Sequence, residues 1–135
     1  MVNLGFVVAD YHGPIVERME RQARERADEH DATVVDTHRV SGAYDTVLPA
    51  DRLARRDDID AVVVIGTIIS GETDHDQVIG QATATQLQGV ARDRDTPVTF
   101  GITGPGMDAK EAAERVDYGA EAVQAAVRLV GELSG

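Results

Sequence analysis

Two hydrophobic periods alternate along this chain of 135 residues. Residues 3–9 are mostly apolar and read as a first strand. From Pro14 the apolar positions Ile15, Val16, Met19 and Ala23 recur at helical spacing to about His30. A proline at the start suits the first turn of a helix. Residues 33–40 read as a second strand, and 47–56 as a short helix. The uninterrupted run Ala61-Val62-Val63-Val64-Ile65 predicts a strand buried on both faces. A third helix is predicted over 78–94, with Val78, Ala82, Leu87, Val90 and Ala91 inward. Thr96-Pro97 breaks the chain before a fourth strand at 98–102. A last helix over 109–133 places Ala112, Ala113, Val116, Ala120, Val123, Val127 and Val130 inward.

Repeated strand–helix units imply a parallel sheet, helices on both faces and right-handed crossovers. Four strands make a small α/β, flavodoxin-like three-layer sandwich with the order 2-1-3-4. Neither repeats nor a linker divide the sequence, so 1–135 reads as a single domain. In such a sheet every strand ends at one edge, and ligands bind there. Four loops converge on that edge: Asp10-Tyr11-His12, 41–45, 67–76 and 103–107.

Composition narrows the chemistry. The absence of cysteine excludes disulfides, a thiolate nucleophile and a cysteine-ligated metal. A net charge of −11, with one lysine against twelve arginines and fifteen aspartates, opposes nucleic acid and anionic membranes as partners. So acidic a chain, poor in lysine and aromatics, suits high salt, where screening relieves self-repulsion. No apolar run reaches bilayer length and the start lacks signal-peptide features, so the cytoplasm is the expected location.

The stretch 66–76, GTIISGETDHD, leaves the buried third strand carrying two glycines, a threonine and a histidine. Gly71-Glu72-Thr73 could cradle a phosphate at a helix start, or form a plain turn with Asp76 as the cap. His75 suits proton transfer near neutral pH. Asp74 and Asp76 flank it, but no second histidine lies at ligand spacing, so no metal site is expected. Tyr11 and Tyr44, two of only five aromatics, fall on the ligand edge and suggest stacking on a flat heterocycle. Asp45 could accept hydrogen bonds from a ligand or cap the next helix. Phe100 lies within the fourth strand, where packing is the default role. Arg115, if turned to the edge, would supply a guanidinium for an anion.

The ordered set Ala43-Tyr44-Asp45, GTIISGETDH at 66–75 and PVTFG at 97–101 resembles the lumazine synthase family. GITGPGMDAKEAAERVDYG at 101–119 is similar to its archaeal branch. The resemblance implies condensation of 5-amino-6-(D-ribitylamino)uracil with 3,4-dihydroxy-2-butanone 4-phosphate, without metal or organic cofactor. It implies that Tyr11 stacks on the pyrimidine, while Ala43, Tyr44 and Asp45 hold the ring and its ribityl chain. Thr67, Ile68 and Ile69 would line the other side, and Phe100 would close the pocket. Glu72 and Thr73 would bind phosphate with Arg115 as counter-charge, and His75 would move protons.

Three positions depart from the family pattern. Asp45 stands where bacterial members usually carry glutamate, Ser70 where many carry arginine, and Ala120 where a lysine is common. Arg115 is thereby left as the main expected cation for phosphate. The family implies homopentamers with sites between adjacent subunits, some closing into icosahedral shells of sixty subunits. Two other readings stay open on sequence: an archaeal-type riboflavin synthase paralogue, and a shell protein that binds flavin or lumazine without turnover.

Overall fold

A computed structural model describes residues 1–70 and 74–134. Four parallel strands, β1 (Val2–Ala9), β2 (Ala32–Val40), β3 (Ala61–Thr67) and β4 (Val98–Thr103), lie in the order β2-β1-β3-β4. The helices are α1 (Gly13–Glu29), α2 (Val47–Ala54), α3 (His75–Arg94), α4 (Ala109–Ala113) and α5 (Tyr118–Leu133), with one 3-10 turn at Ala43–Asp45. The fold is the flavodoxin-like three-layer sandwich that the alternation predicts. None of the described helices is long and apolar enough to cross a membrane.

Period two divides the core. Leu4, Phe6 and Val8 of β1, with Val63 and Ile65 of β3, pack with Val16, Met19 and Ala23 of α1 and Val123 and Ala126 of α5. Val7, Val62 and Val64 pack on the other face with Leu53 of α2 and Leu87 and Val90 of α3. Every residue of β3 is buried, which accounts for its unbroken apolar run. The first of these layers is closed at the β2 edge by Glu20. It accepts two bonds from Arg39, at 2.7 and 2.8 Å, and one from Arg24 at 2.9 Å. The Arg24 guanidinium also covers the ring of Phe6, 5.3 Å from its centroid.

Two helices differ from their sequence pattern. The predicted last helix is two helices. A capping box starts α4, with the Asp108 carboxylate accepting from Glu111 N–H at 2.8 Å. Bonds from Arg115 N–H to Ala112 O and from Tyr118 N–H to Arg115 O then tighten the backbone into a turn. Helix α5 starts afresh there, with Gly119 laid against Met19 of α1. Val116 stays buried across the turn, so the apolar period runs on and hides the break.

The inner face of α3 is rotated from the one expected. Val78 and Ala82 are exposed, and the buried positions are Gly80, Thr83, Leu87 and Val90. Two of these four are a glycine and a threonine, which hydrophobicity does not mark. Thr83 earns its place by reaching the Ala43 carbonyl, at 3.5 Å.

Hydrogen bonding from Arg39 holds the Glu20 carboxyl below its usual value, against the opposing effect of burial and with further help from Arg24. Its stabilising contribution is therefore present above pH 4.5 and lost as pH falls through the lower folded-state pKa. Glu20→Ala is expected to cost about 1–3 kcal/mol in urea unfolding at neutral pH. The deficit relative to the unaltered chain should shrink on acidification below that range.

Candidate active site

The carboxyl ends of β1 and β3 open a cavity of about 470 Å³. Tyr11 and His12 line it from the β1–α1 loop, and Gly42, Ala43 and Tyr44 from the loop after β2. Thr67, Ile68 and Ile69 contribute the exit of β3, while His75, Asp76 and Ile79 contribute the start of α3. Six of the expected ligand residues thus meet here with His75. A larger groove of about 810 Å³ runs beside it between α2 and α3, and Tyr44 borders both. The groove carries no histidine, so the chemistry points to the smaller cavity.

Local bonding fixes each wall. The Ala43 carbonyl accepts from Thr46 N–H at 3.2 Å and from the Thr46 hydroxyl at 2.7 Å. Its turn is thereby held beneath the exposed Tyr44 ring. Asp45 accepts from Gly42 N–H at 3.1 Å, so its carboxylate closes the local turn. It borders the adjoining groove and not the cavity itself. Beyond its own end, β3 stays tied to the last residue of β4 and to the segment that follows. Ile68 N–H donates to Thr103 O at 2.7 Å, and Ser70 N–H to Met107 O at 2.8 Å. Gly104 at φ +88° makes this possible, since a Cβ there would stand 2.0 Å from the Ile68 carbonyl oxygen.

Phe100 and Arg115 do not line the cavity. Phe100 pairs in register with Val64 on the edge strand β4 and is 39% exposed. Arg115 sits in the turn between α4 and α5 and donates to its own Glu111 carbonyl at 3.1 Å. No lysine or arginine is among the described residues that line the cavity. Glu72 and Thr73, expected to bind phosphate, lie outside the described residues. Among the described residues no group of three or more His, Asp or Glu side chains could hold a metal ion.

Three lining residues received no role from sequence: His12, Gly42 and Ile79. Asp76, expected as a helix cap, lies inside the first turn of α3, whose N-cap is Asp74. His12 packs edge-on against the Tyr11 ring, with centroids 4.8 Å apart and planes at 90°. Its position in the loop Asp10-Tyr11-His12 placed it at the ligand edge. Nothing in the sequence distinguished it there from a solvated histidine. Burial pushes its pKa below 6.5, so the ring is predominantly neutral at pH 7.

Residues 1–134 match the family model described as 6,7-dimethyl-8-ribityllumazine synthase. The chain is 59% identical to a protein of that name from Halobacterium salinarum over 133 residues, covering 98% of this chain and 100% of the relative. It is 57% identical to one from Halorubrum lacusprofundi, covering 98% and 99%. One from Methanocaldococcus jannaschii is 47% identical, covering 98% and 94%.

The lowered pKa of His12 sets a pH dependence. As pH falls, the unfolded chain takes up a proton at this residue before the folded chain does, so stability falls from about pH 6.5 downward until the folded-state pKa is passed. His12→Asn should flatten that part of the unfolding profile. An imidazole titration by NMR should show the midpoint below 6.5.

Proposed function

The chain belongs to the 6,7-dimethyl-8-ribityllumazine synthase family, and on that premise we propose that the 470 Å³ cavity holds the pyrimidine reactant. The protein is a transferase of riboflavin biosynthesis. It condenses 5-amino-6-(D-ribitylamino)uracil with 3,4-dihydroxy-2-butanone 4-phosphate, giving 6,7-dimethyl-8-ribityllumazine, phosphate and two waters. The relatives carry the synthase name, which disfavours both a riboflavin synthase paralogue and a non-catalytic shell protein.

The observation that carries the reading is the convergence of Tyr11, Ala43, Tyr44, Thr67, Ile68 and Ile69 on one mainly apolar cavity with His75. Tyr11 stacks on the pyrimidine. Ala43 and Tyr44 hold the ring and the ribityl chain, with Asp45 at the border toward the groove. The reaction adds an aryl amine to a ketone, loses water to form an imine, eliminates phosphate and closes a ring as the second amine condenses on the remaining carbonyl with loss of a second water. Each step moves a proton, and His75 shuttles it. Much of the remaining acceleration comes from holding two reactants together, which is worth ~7–11 kcal/mol in well-oriented cases.

Phosphate needs a cation, and the described residues of the cavity walls supply none. A neighbouring copy resolves this in the proposed assembly. Its Phe100 closes the cavity and its Arg115 meets the phosphate beside Glu72 and Thr73. The contact is head-to-tail, between different surfaces of the two copies, and such contacts close into rings. A homopentamer is the proposed ring, acting in the cytoplasm. The open groove between α2 and α3, with exposed Tyr44 and Leu48, supports a docking surface on one side. Exposed Phe100 on the β4 edge supports one on the other. The acidic surface suits assembly at high salt.

Supplying both substrates should yield the fluorescent lumazine product. Absence of product from intact assemblies would sink the assignment. His75→Ala is expected to slow turnover about 10²–10⁴-fold without abolishing it. Arg115→Ala should raise KM for the phosphate substrate selectively. Mixing His75→Ala and Arg115→Ala chains before assembly should regenerate active sites if those residues meet across an interface. Sedimentation should report five copies per particle, with the assembly firmer in molar salt.

A further inference from the structure

The loop after β4 touches the cavity from behind on two sides. The bond it accepts from Ser70 at Met107, and the fit of Gly104 against the Ile68 carbonyl, fix it to the exit of β3. On its other side it meets α3. A Cβ built on Gly80 would stand 2.6 Å from Pro105 Cδ and 2.9 Å from Pro105 Cγ. Those separations lie inside carbon–carbon contact, so the bare backbone of α3 rests directly on the pyrrolidine ring. Gly80 is buried, and its third neighbour, 3.7 Å from the same Cβ position, is Ile68 Cδ1. Three groups therefore meet at one point: the exit of β3, the loop after β4 and the second turn of α3.

That point lies five residues along α3 from His75, at its first position. Asp76 and Ile79 of the same two turns line the cavity, as Ile68 does from β3. A helix turn is rigid on this scale, so its separation from β3 fixes where the histidine stands. The separation is fixed in turn by a ring that has no rotamer by which to withdraw.

We propose that Pro105 is a positioning residue for the condensation, acting as a spacer that sets the height of α3, and so of His75, over the cavity floor. Pro105 is not among the cavity-lining residues and acts through the helix alone. Gly80 is the complementary half of the device, since any side chain there would lift the helix. The inference rests on the reading of His75 as the proton-transfer residue.

The test is a mutant cycle on the assembled enzyme. Gly80→Ala is expected to lower kcat about 10–100-fold, the scale of an ångström's misplacement, with much smaller changes in either KM. Pro105→Ala removes both atoms that the new methyl group would strike, so Gly80→Ala/Pro105→Ala should recover most of the lost kcat. In the His75→Ala enzyme, Gly80→Ala should slow turnover no further, because both changes act on one group. A folded Gly80→Ala enzyme with unaltered kcat overturns the proposal, as does an undiminished loss in the double variant. An equal slowing of the His75→Ala enzyme overturns it too. If Gly80→Ala does not fold, Pro105→Ala decides. It should lower kcat with the melting temperature and both KM values kept, and an unchanged kcat overturns the spacer. Ala43→Leu, which fills the cavity, tests the underlying reading separately. An unchanged KM for the pyrimidine there would sink that reading whatever the cycle shows.

Discussion

The hydrogen bond from Ile68 N–H to Thr103 O carries strand pairing one residue past the sheet, and the site hangs from that extension. A buried strand that leaves its sheet normally frees its backbone groups to water or to a ligand. Here the exit of β3 remains paired, so Ile68 and Ile69 present a fixed wall instead of a loose loop. Gly104 is the condition for that pairing, because any side chain there would collide with the Ile68 carbonyl. One backbone contact thus couples the core strand, the loop after β4 and the cavity wall.

Much of the fold was legible in the sequence because period and burial agree. The run 61–65 is apolar throughout since β3 is covered on both faces, and Pro14 marks α1 because proline tolerates the first turn. The pattern failed where contact is made by backbone or hydroxyl. Gly80 and Thr83 face inward on α3 because one admits Pro105 and the other reaches a carbonyl, and neither looks hydrophobic. The turn between α4 and α5 escaped notice because Val116 stays buried through it. Of the site, the loop positions were legible from topology: strand ends in a parallel sheet share an edge, whatever their sequence separation. The pairing of His12 with Tyr11 was not, since a ring's orientation has no signature in spacing.

The charge distribution follows a similar division. Seven arginines (Arg24, Arg26, Arg39, Arg55, Arg56, Arg92 and Arg94) are engaged in ion pairs with carboxylates among the described residues. Most of these pairs are exposed and contribute little singly. Glu20 is the exception, because its carboxylate is mostly covered and takes bonds from two guanidinium groups over a core ring. In a chain of net charge −11, cations committed in this way are scarce elsewhere. Among the described residues, the cavity accordingly has two histidines and an aspartate on its walls but no permanent positive charge.

That deficit bears on how a small acidic enzyme can process a phosphate ester at all. On the proposed reading a single protomer offers an apolar bed for a flat ring and one imidazole, that of His75, for protons, while a net charge of −11 repels the anionic reactant. Under the proposed assembly the missing cation and the closing aromatic ring arrive together, from the turn after α4 and from the edge strand of a neighbour. Binding of the second substrate then depends on the ring having closed, and an isolated subunit would hold the pyrimidine without partner chemistry. Separating the two functions across a boundary also shields the reactive amine, because the surface that brings the phosphate substrate is the surface that excludes water. Oligomer formation and catalysis are, on this account, two consequences of one interface.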